Sequence, residues 1–261
     1  MGLLNKIKNR IYSDYFMPSR LGEYEQVLQE LISNGYEHIT LRDYAYGLTN
    51  GSLNGKYFIN RHDIDTDTKT ARDFFEIEKK LGVKASYYFR LSTLDIDLMR
   101  EIESYGSEAS YHFEEIAQFA KDNHIKSHKE ILNKIDDIKD IFKHNFLDIE
   151  RKLGYKLETV VAHGDFVNRK LKITSNELLK DQKLRKELGI ICEGYDKNIT
   201  DSIDIYVSDK AYPEYYYPKP IFEYIGNKNI IYMLTHTRQW QVNIIENTKD
   251  NIKRFIEGII W

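Results

Sequence analysis

Tyr57-Phe58-Ile59-Asn60-Arg61-His62-Asp63-Ile64-Asp65 is a short apolar run that breaks into charge. The run has the length and β-prone composition of a strand, and its charged end carries two carboxylates two residues apart. In extended chain such residues project to the same side. Carboxylates that close repel unless a cation or a shared proton relieves them, and a divalent metal would do so. In α/β barrels and open parallel sheets the working residues lie just past the C-terminal ends of strands, which is where this pair falls.

Similar runs recur along the chain: Ala85-Ser86-Tyr87-Tyr88-Phe89, Thr159-Val160-Val161 and Ile230-Ile231-Tyr232-Met233-Leu234. They are apolar throughout rather than alternating, as parallel strands covered on both faces are. Helical stripes lie between them. Tyr24, Leu28, Leu31 and Ile32 stop at Gly35; Ala71, Phe74, Ile77 and Leu81 stop at Gly82; Leu98, Ile102 and Tyr105 precede Gly106; Leu184 and Leu188 precede Gly189. A glycine just past a helix suits the left-handed cap. Ser127 and Glu130 have capping-box spacing and open a helix whose inward set is Ile131, Ile135, Ile138, Phe142, Ile149 and Leu153, closed by Gly154. A last helix is predicted from about Ile245, with Ile252, Phe255, Ile256 and Ile259 inward. Strand–helix alternation makes the fold class α/β.

Composition narrows the function. Lys and Arg number 38 against 41 Asp and Glu, and this near balance offers no basic footprint for nucleic acid. The single cysteine, Cys192, sits in an apolar run and reads as a small buried hydrophobe. No segment approaches the roughly 18 apolar residues of a membrane span. Met1 to Tyr15 is basic and interrupted by charge, unlike a signal peptide. Leu3, Leu4, Ile7 and Ile11 line one face of a short helix. Packing on the domain is the preferred reading of that face, with a membrane-surface contact as the other. No stable membrane insertion and a cytoplasmic location are expected.

Three further strand ends carry histidine. Glu108-Ala109-Ser110-Tyr111-His112-Phe113-Glu114 places His112 between alternating polar residues, and a neutral imidazole suits zinc. Val160-Val161-Ala162-His163-Gly164-Asp165 adds His163, with a glycine that lets a ligand approach the backbone. Met233-Leu234-Thr235-His236 ends in the third. His124, His128 and His144 instead fall in or beside the charged helix, where a solvated face explains them.

The order of these motifs resembles the polysaccharide deacetylase superfamily (carbohydrate esterase family four, NodB-like). His62-Asp63-Ile64-Asp65 looks like its spaced aspartate pair, Ala85 to Arg90 like its next strand, Glu108 to His112 like the stretch ending in the first metal histidine, and Leu234-Thr235-His236 like its final motif. Ala162-His163-Gly164 occupies the place of a motif that shapes the site and the oxyanion pocket. The resemblance covers roughly Gly35 to Trp240. It implies a distorted (β/α) barrel of about seven parallel strands in a single catalytic domain, residues 1–261, with 1–34 as a helical extension packed on it. It also implies a metal-dependent hydrolase removing an N-acetyl group from a carbohydrate in bacterial surface-polysaccharide synthesis.

By the same resemblance Asp63 is the base, His236 the general acid, and Asp65 and His112 ligands of a divalent metal, zinc foremost. The family's second metal histidine would fall four residues after His112, where this chain has Ile116, so Glu114 or His163 would complete the set. The arginine–proline segment of the family's third motif is missing, which leaves Arg61 or His163 to hold Asp63. Arg90 and Arg238, beside the candidate site, and Trp240 are read as substrate contacts, and the tyrosines of 212–217 as stacking on sugar or simply packing. O-deacetylation, deformylation or another amide hydrolysis fits the same fold, as does a carbohydrate-binding relative without metal.

Overall fold

The computed structural model describes residues 2–261, with the side chain of Leu3 outside the described set, so the expectation for Leu3 lies beyond it. Among the described residues nine strands form one sheet: β1 (Glu37–Ile39), β2 (Tyr57–Ile64), β3 (Ser86–Phe89), β4 (Glu108–Phe113), β5 (Thr159–Ala162), β6 (Cys192–Glu193), β7 (Ile205–Asp209), β8 (Tyr216–Tyr217) and β9 (Ile230–His236). Seven run parallel in the order β6-β5-β4-β3-β2-β9-β7; β1 adds to the start of β2, and β8 turns back antiparallel on β7. Among the described residues no backbone pairing joins β6 to β7, so the barrel is open. The expected α/β class with about seven parallel strands is what the chain forms.

The sheet curls, and its two faces bury different things. Ile59, Tyr88, Val161, Cys192 and Tyr232, from five strands, meet in one cluster on the concave side. The helix Leu41–Asn50 plugs that cluster from below with Leu41 and Tyr44. Its start is set by Thr40, whose side chain accepts from the Asp43 N–H. The convex side carries the larger core, in which Phe58, Tyr87, Phe89, Tyr111, Val160 and Met233 pack beneath the surrounding helices. Successive strand residues therefore alternate between two buried faces, which explains the unbroken apolar runs.

Several helices differ from the sequence reading. In Leu21–Ser33, Val27 is buried and Ile32 is exposed. The helix expected after Ser127 is two, His128–Asn133 and Ile135–Leu153, broken at Lys134 (φ −107°, ψ 8°). Ser127 makes no side-chain cap bond, so its spacing with Glu130 is not a capping box. The inward stripe persists, with Phe146 added to it. Gly82 and Gly154 do end their helices in the left-handed conformation (φ 71° and 82°), where a Cβ would be strained.

The two outermost helices depart most. Leu3–Tyr15 docks through its last turn, where Ser13 and Asp14 are buried, but Leu4, Ile7 and Ile11 face outward. In Ile244–Ile260 the expected inward set, Ile252, Phe255, Ile256 and Ile259, is exposed, and Asn247 is the buried residue. Among the described residues no helix is long and apolar enough to cross a membrane.

Behind β2, on the convex side, lies a wholly buried polar knot. His62 Nε2 is 2.7 Å from Glu78 Oε1, and the Tyr87 hydroxyl donates to Glu78 Oε2 at 2.6 Å. Tyr24 also donates to Glu78, and His62 Nδ1 meets the Thr235 hydroxyl of β9. Removing one member leaves the others desolvated and unpaired. Glu78→Ala is expected to cost about 3 kcal/mol in urea unfolding. A loss below about 0.5 kcal/mol, the range of a surface change, would show that the knot does not hold the strand.

Candidate active site

Four strands, β9, β2, β4 and β5, bring their C-terminal ends to one concavity. Asp63 is in register with His236 on β9, and His112 with Val161 on β5. Asp65 follows β2 directly and His163 follows β5. Strand pleating sends Arg61 and Asp63 to the concave side and His62 to the convex knot.

Asp63 is buried and held by its own strand. Arg61 Nε donates to Oδ1 at 2.7 Å and Arg61 Nη2 to Oδ2 at 2.6 Å, a two-pronged pair. Arg61 is fully buried. Its Nη2 also donates to the Tyr195 hydroxyl at 2.7 Å, and its guanidinium lies 4.6 Å from the Tyr195 ring centre. Gly194 makes room for this: a Cβ there would stand 2.8 Å from Val161 Cγ2 and 3.2 Å from Arg61 Nη1. Burial pushes the Asp63 carboxyl up, but Arg61 and His112 outweigh it and hold it below the ordinary carboxylate range. Of the two candidates for steadying Asp63, Arg61 is the one in place.

Beside it, three donor groups converge. Asp65 Oδ1 is buried and accepts no hydrogen bond, yet lies 3.4 Å from His112 Nε2 and 3.5 Å from His163 Nε2. The ligand atoms of Asp65, His112 and His163 all lie within 4.8 Å of one another. His112 Nδ1 is 3.0 Å from the Val161 carbonyl, which can only accept; Nδ1 therefore carries a proton, and Nε2 is the ring nitrogen turned toward the carboxylates. An unsatisfied carboxylate oxygen and two imidazoles turned toward it fit a divalent transition metal, zinc included. Asp63 Oδ2 is also 3.4 Å from His112 Nε2, so the two carboxylates flank the same imidazole.

Glu114 sits one layer behind. Arg90 grips it at 3.0 and 2.6 Å, and its Oε2 is 3.3 Å from His163 Nδ1. Burial pushes Glu114 up, but His163 and Arg90 hold it well below the usual carboxylate range. Glu114 already carries an ion pair with Arg90, yet it also stands with His163 and Asp165 in a second group whose ligand atoms lie within 4.8 Å of one another. Ile116, where the family's second histidine would fall, is buried in the convex core.

Next to Asp63, on the neighbouring strand β9, His236 opens onto the cleft. Its Nδ1 is 2.7 Å from Asp209 Oδ1, and its backbone N–H donates to Asp209 Oδ2 at 2.6 Å. Burial lowers the imidazole, but Asp209, with Asp65 and Asp63, outweighs it and pushes His236 up to about 9. Asp209 is absent from the sequence reading. The signal that finds it is the one used elsewhere: Ile205-Tyr206-Val207-Ser208 is a short strand ending in a carboxylate.

Of the three predicted substrate contacts, Arg90 borders the cavity beside His163 and Arg238 the one beside Asp65 and His236, while Trp240 is enclosed. Trp240 is fully buried, and its Nε1 donates to Asp209 at 2.9 Å, so it steadies the carboxylate and cannot stack on a ligand. Arg238 is spent on Asp14, Asp250 and Asn251. Arg90 is spent on Glu114 and the Asp65 carbonyl. Within 212–217, Tyr212 packs on Tyr12, Tyr216 is buried with its hydroxyl on Glu23, and Tyr217 is exposed. Open space borders His163 on two sides. A cavity of about 280 Å³ is walled partly by Asp250, Lys253 and Arg254 of the last helix, and one of about 510 Å³ by Gly164, Ile173 and Tyr195.

No protein-family model matches the chain, and no curated protein does. Among solved structures it is similar to the Streptococcus pyogenes deacetylase PplD in complex with acetate, at 14% identity over 66% of this chain and 74% of that one (TM-score 0.43). It is similar to the Xyl-CE4 domain of a multidomain xylanase from the hindgut metagenome of Trinervitermes trinervoides, at 12% identity over 77% and 85% (TM-score 0.38). A third is the peptidoglycan deacetylase PdaC from Bacillus subtilis, at 14% identity over 78% and 97% (TM-score 0.29).

Zinc titration followed by calorimetry separates ligands from their supports. His112→Ala and His163→Ala are expected to abolish binding, whereas Glu114→Gln weakens it by about ten- to a hundredfold. A Glu114→Gln loss as complete as that of either histidine would make Glu114 a ligand after all.

Proposed function

We propose that the chain is a metal-dependent hydrolase that removes an N-acetyl group from a carbohydrate. One observation carries the reading: the Asp65–His112–His163 donor set shares one concavity with an arginine-held carboxylate, Asp63, and with its register partner His236, an aspartate-held imidazole. That arrangement would give a metal site with a base and an acid beside it. The motif order in the sequence supports the carbohydrate amide as substrate.

Asp65, His112 and His163 hold the ion, with Glu114 orienting His163. Bound there, a divalent ion supplies Lewis acidity for the amide carbonyl and for a water. Asp63, ionised at neutral pH, takes the proton of the attacking water as its oxygen bonds to the acyl carbon. Among the described residues the Gly164 N–H has no partner, which leaves it to donate to the developing oxyanion. His236, protonated through Asp209, gives its proton to the sugar nitrogen as the C–N bond breaks. The products are acetate and an amino sugar, and the proton held by Asp63 returns to solvent.

His236→Ala is expected to lower kcat about a hundredfold or more, read as acetate released from N-acetylglucosamine oligomers, with wild-type helix content by circular dichroism. Asp63→Asn lowers turnover and stability together, because buried Arg61 loses its counter-charge. Wild-type turnover in His236→Ala would end the assignment of the acid.

The pH profile tests the acid independently. The active imidazole is the protonated one, populated below its pKa, so activity is expected to fall as pH rises through about 9. Asp209→Asn removes the group that raises it, and the alkaline limb should move down toward 6.5. An alkaline limb that stays near 9 in that variant would assign it to another group.

A further inference from the structure

The last helix is amphipathic in the wrong sense for a helix that covers a core. Its inward face is polar. Asn247 Nδ2 donates to the Asp14 carbonyl at 2.8 Å, Asp250 and Asn251 accept from Arg238 at 2.5 and 2.7 Å, and Glu257 accepts from Lys121 at 2.9 Å. Trp261 tucks in behind it, donating to the Ala120 carbonyl at 3.0 Å. These bonds fix the rotation of the helix. The face left outside carries Ile252, Phe255 and Ile259, at 55%, 70% and 69% exposure. The first helix packs alongside it and adds Leu4, Ile7 and Ile11, three- and four-residue neighbours on one exposed face.

Positive charges outnumber negative ones around this face, although four of the cations are paired within the two helices: Arg10 with Asp14, Lys249 with Glu246, Lys253 with Glu257 and Arg254 with Asp250. The two helices hold six cations (Lys6, Lys8, Arg10, Lys249, Lys253, Arg254) and four acids (Asp14, Glu246, Asp250, Glu257). Three of the acids, Asp14, Asp250 and Glu257, are turned inward and bonded there. Among the described residues Lys6 and Lys8 have no acidic partner, and Lys8 borders the stripe one turn from Leu4. Apolar residues to insert and cations to meet phosphate are what an anionic lipid surface selects.

We infer that the paired outer faces of helices Leu3–Tyr15 and Ile244–Ile260 bind the protein peripherally to an anionic membrane surface. The last helix also walls the cavity beside His163, so a bilayer on its outer side lies next to the cleft. The inference is independent of the deacetylase reading, since it rests on the helices alone.

Flotation of the full chain with vesicles tests it. Wild type is expected to float with phosphatidylcholine vesicles holding about 30 mol% phosphatidylglycerol, at least about tenfold less with phosphatidylcholine alone, and less as salt rises. Phe255→Ser with Ile259→Ser removes binding. Lys6→Glu with Lys8→Glu, at exposed positions, lowers it at least about tenfold. Circular dichroism checks that both variants keep wild-type helix content. Failure of wild type to float, or equal flotation of all three proteins, overturns the inference. So does a wild-type dimer by light scattering that ignores vesicles and becomes monomeric in the Phe255→Ser, Ile259→Ser variant, which would assign the face to a second copy.

Discussion

Two carboxylates at the end of one central strand, Asp63 and Asp65, are the constraint around which the site is arranged. Burial alone would push both toward protonation, and their proximity would push further. The fold answers each in a different way. Asp63 receives a full guanidinium from two residues upstream, on the same face of the same strand. Asp65 receives none, and keeps an unsatisfied oxygen aimed between two imidazoles. One acid is electrostatically complete without an ion, and the other is not. Both are nonetheless held ionised, Asp65 well below the usual carboxylate range: burial raises it, and His163 and His112 outweigh that.

Supporting Arg61 takes more of the molecule than supporting Asp63 does. A fully buried guanidinium needs every donor placed, and Tyr195, Tyr232 and the bare backbone of Gly194 gather round it. On the opposite face of the same strand, His62 enters an equally buried knot with Glu78. β2 thus carries polar residues toward both layers and is satisfied in both. This ties its position to the helix Thr68–Leu81 on one side and to β6 and β9 on the other. The paired carboxylates stay at one height in the barrel because the strand beneath them cannot slide.

The alternation of glycine-stopped helices with apolar runs made the α/β class legible, and the polar ends of those runs picked out the residues that converge: Asp63, Asp65, His112, His163 and His236. What stayed hidden has common causes. Asp209, on the strand beside β9, and Tyr195 act on residues 27 and 134 positions away, and no local pattern encodes such pairings. Trp240 lies close to the site in sequence but is wholly buried, while Arg238 and Arg90, which border cavities, already have counter-charges. Periodicity found the stripe in the last helix correctly and could not say which way it faced. That sense is fixed by Asp14, Arg238 and Lys121, distant residues that reward the polar side for turning inward.

The bond network at Arg238 has a consequence for how the molecule is made. Asp14 is buried against a guanidinium 224 residues later in the chain, and Asp63 meets its register partner only when His236 has been added. As the chain leaves the ribosome, the first helix and the central strand must both wait until Ile230 to Arg238 have been added. Until then β2 presents an open edge on the side that β9 will occupy, with Arg61 and Asp63 paired beside it. The first strand end to be translated with chemistry on it is therefore among the last to be enclosed.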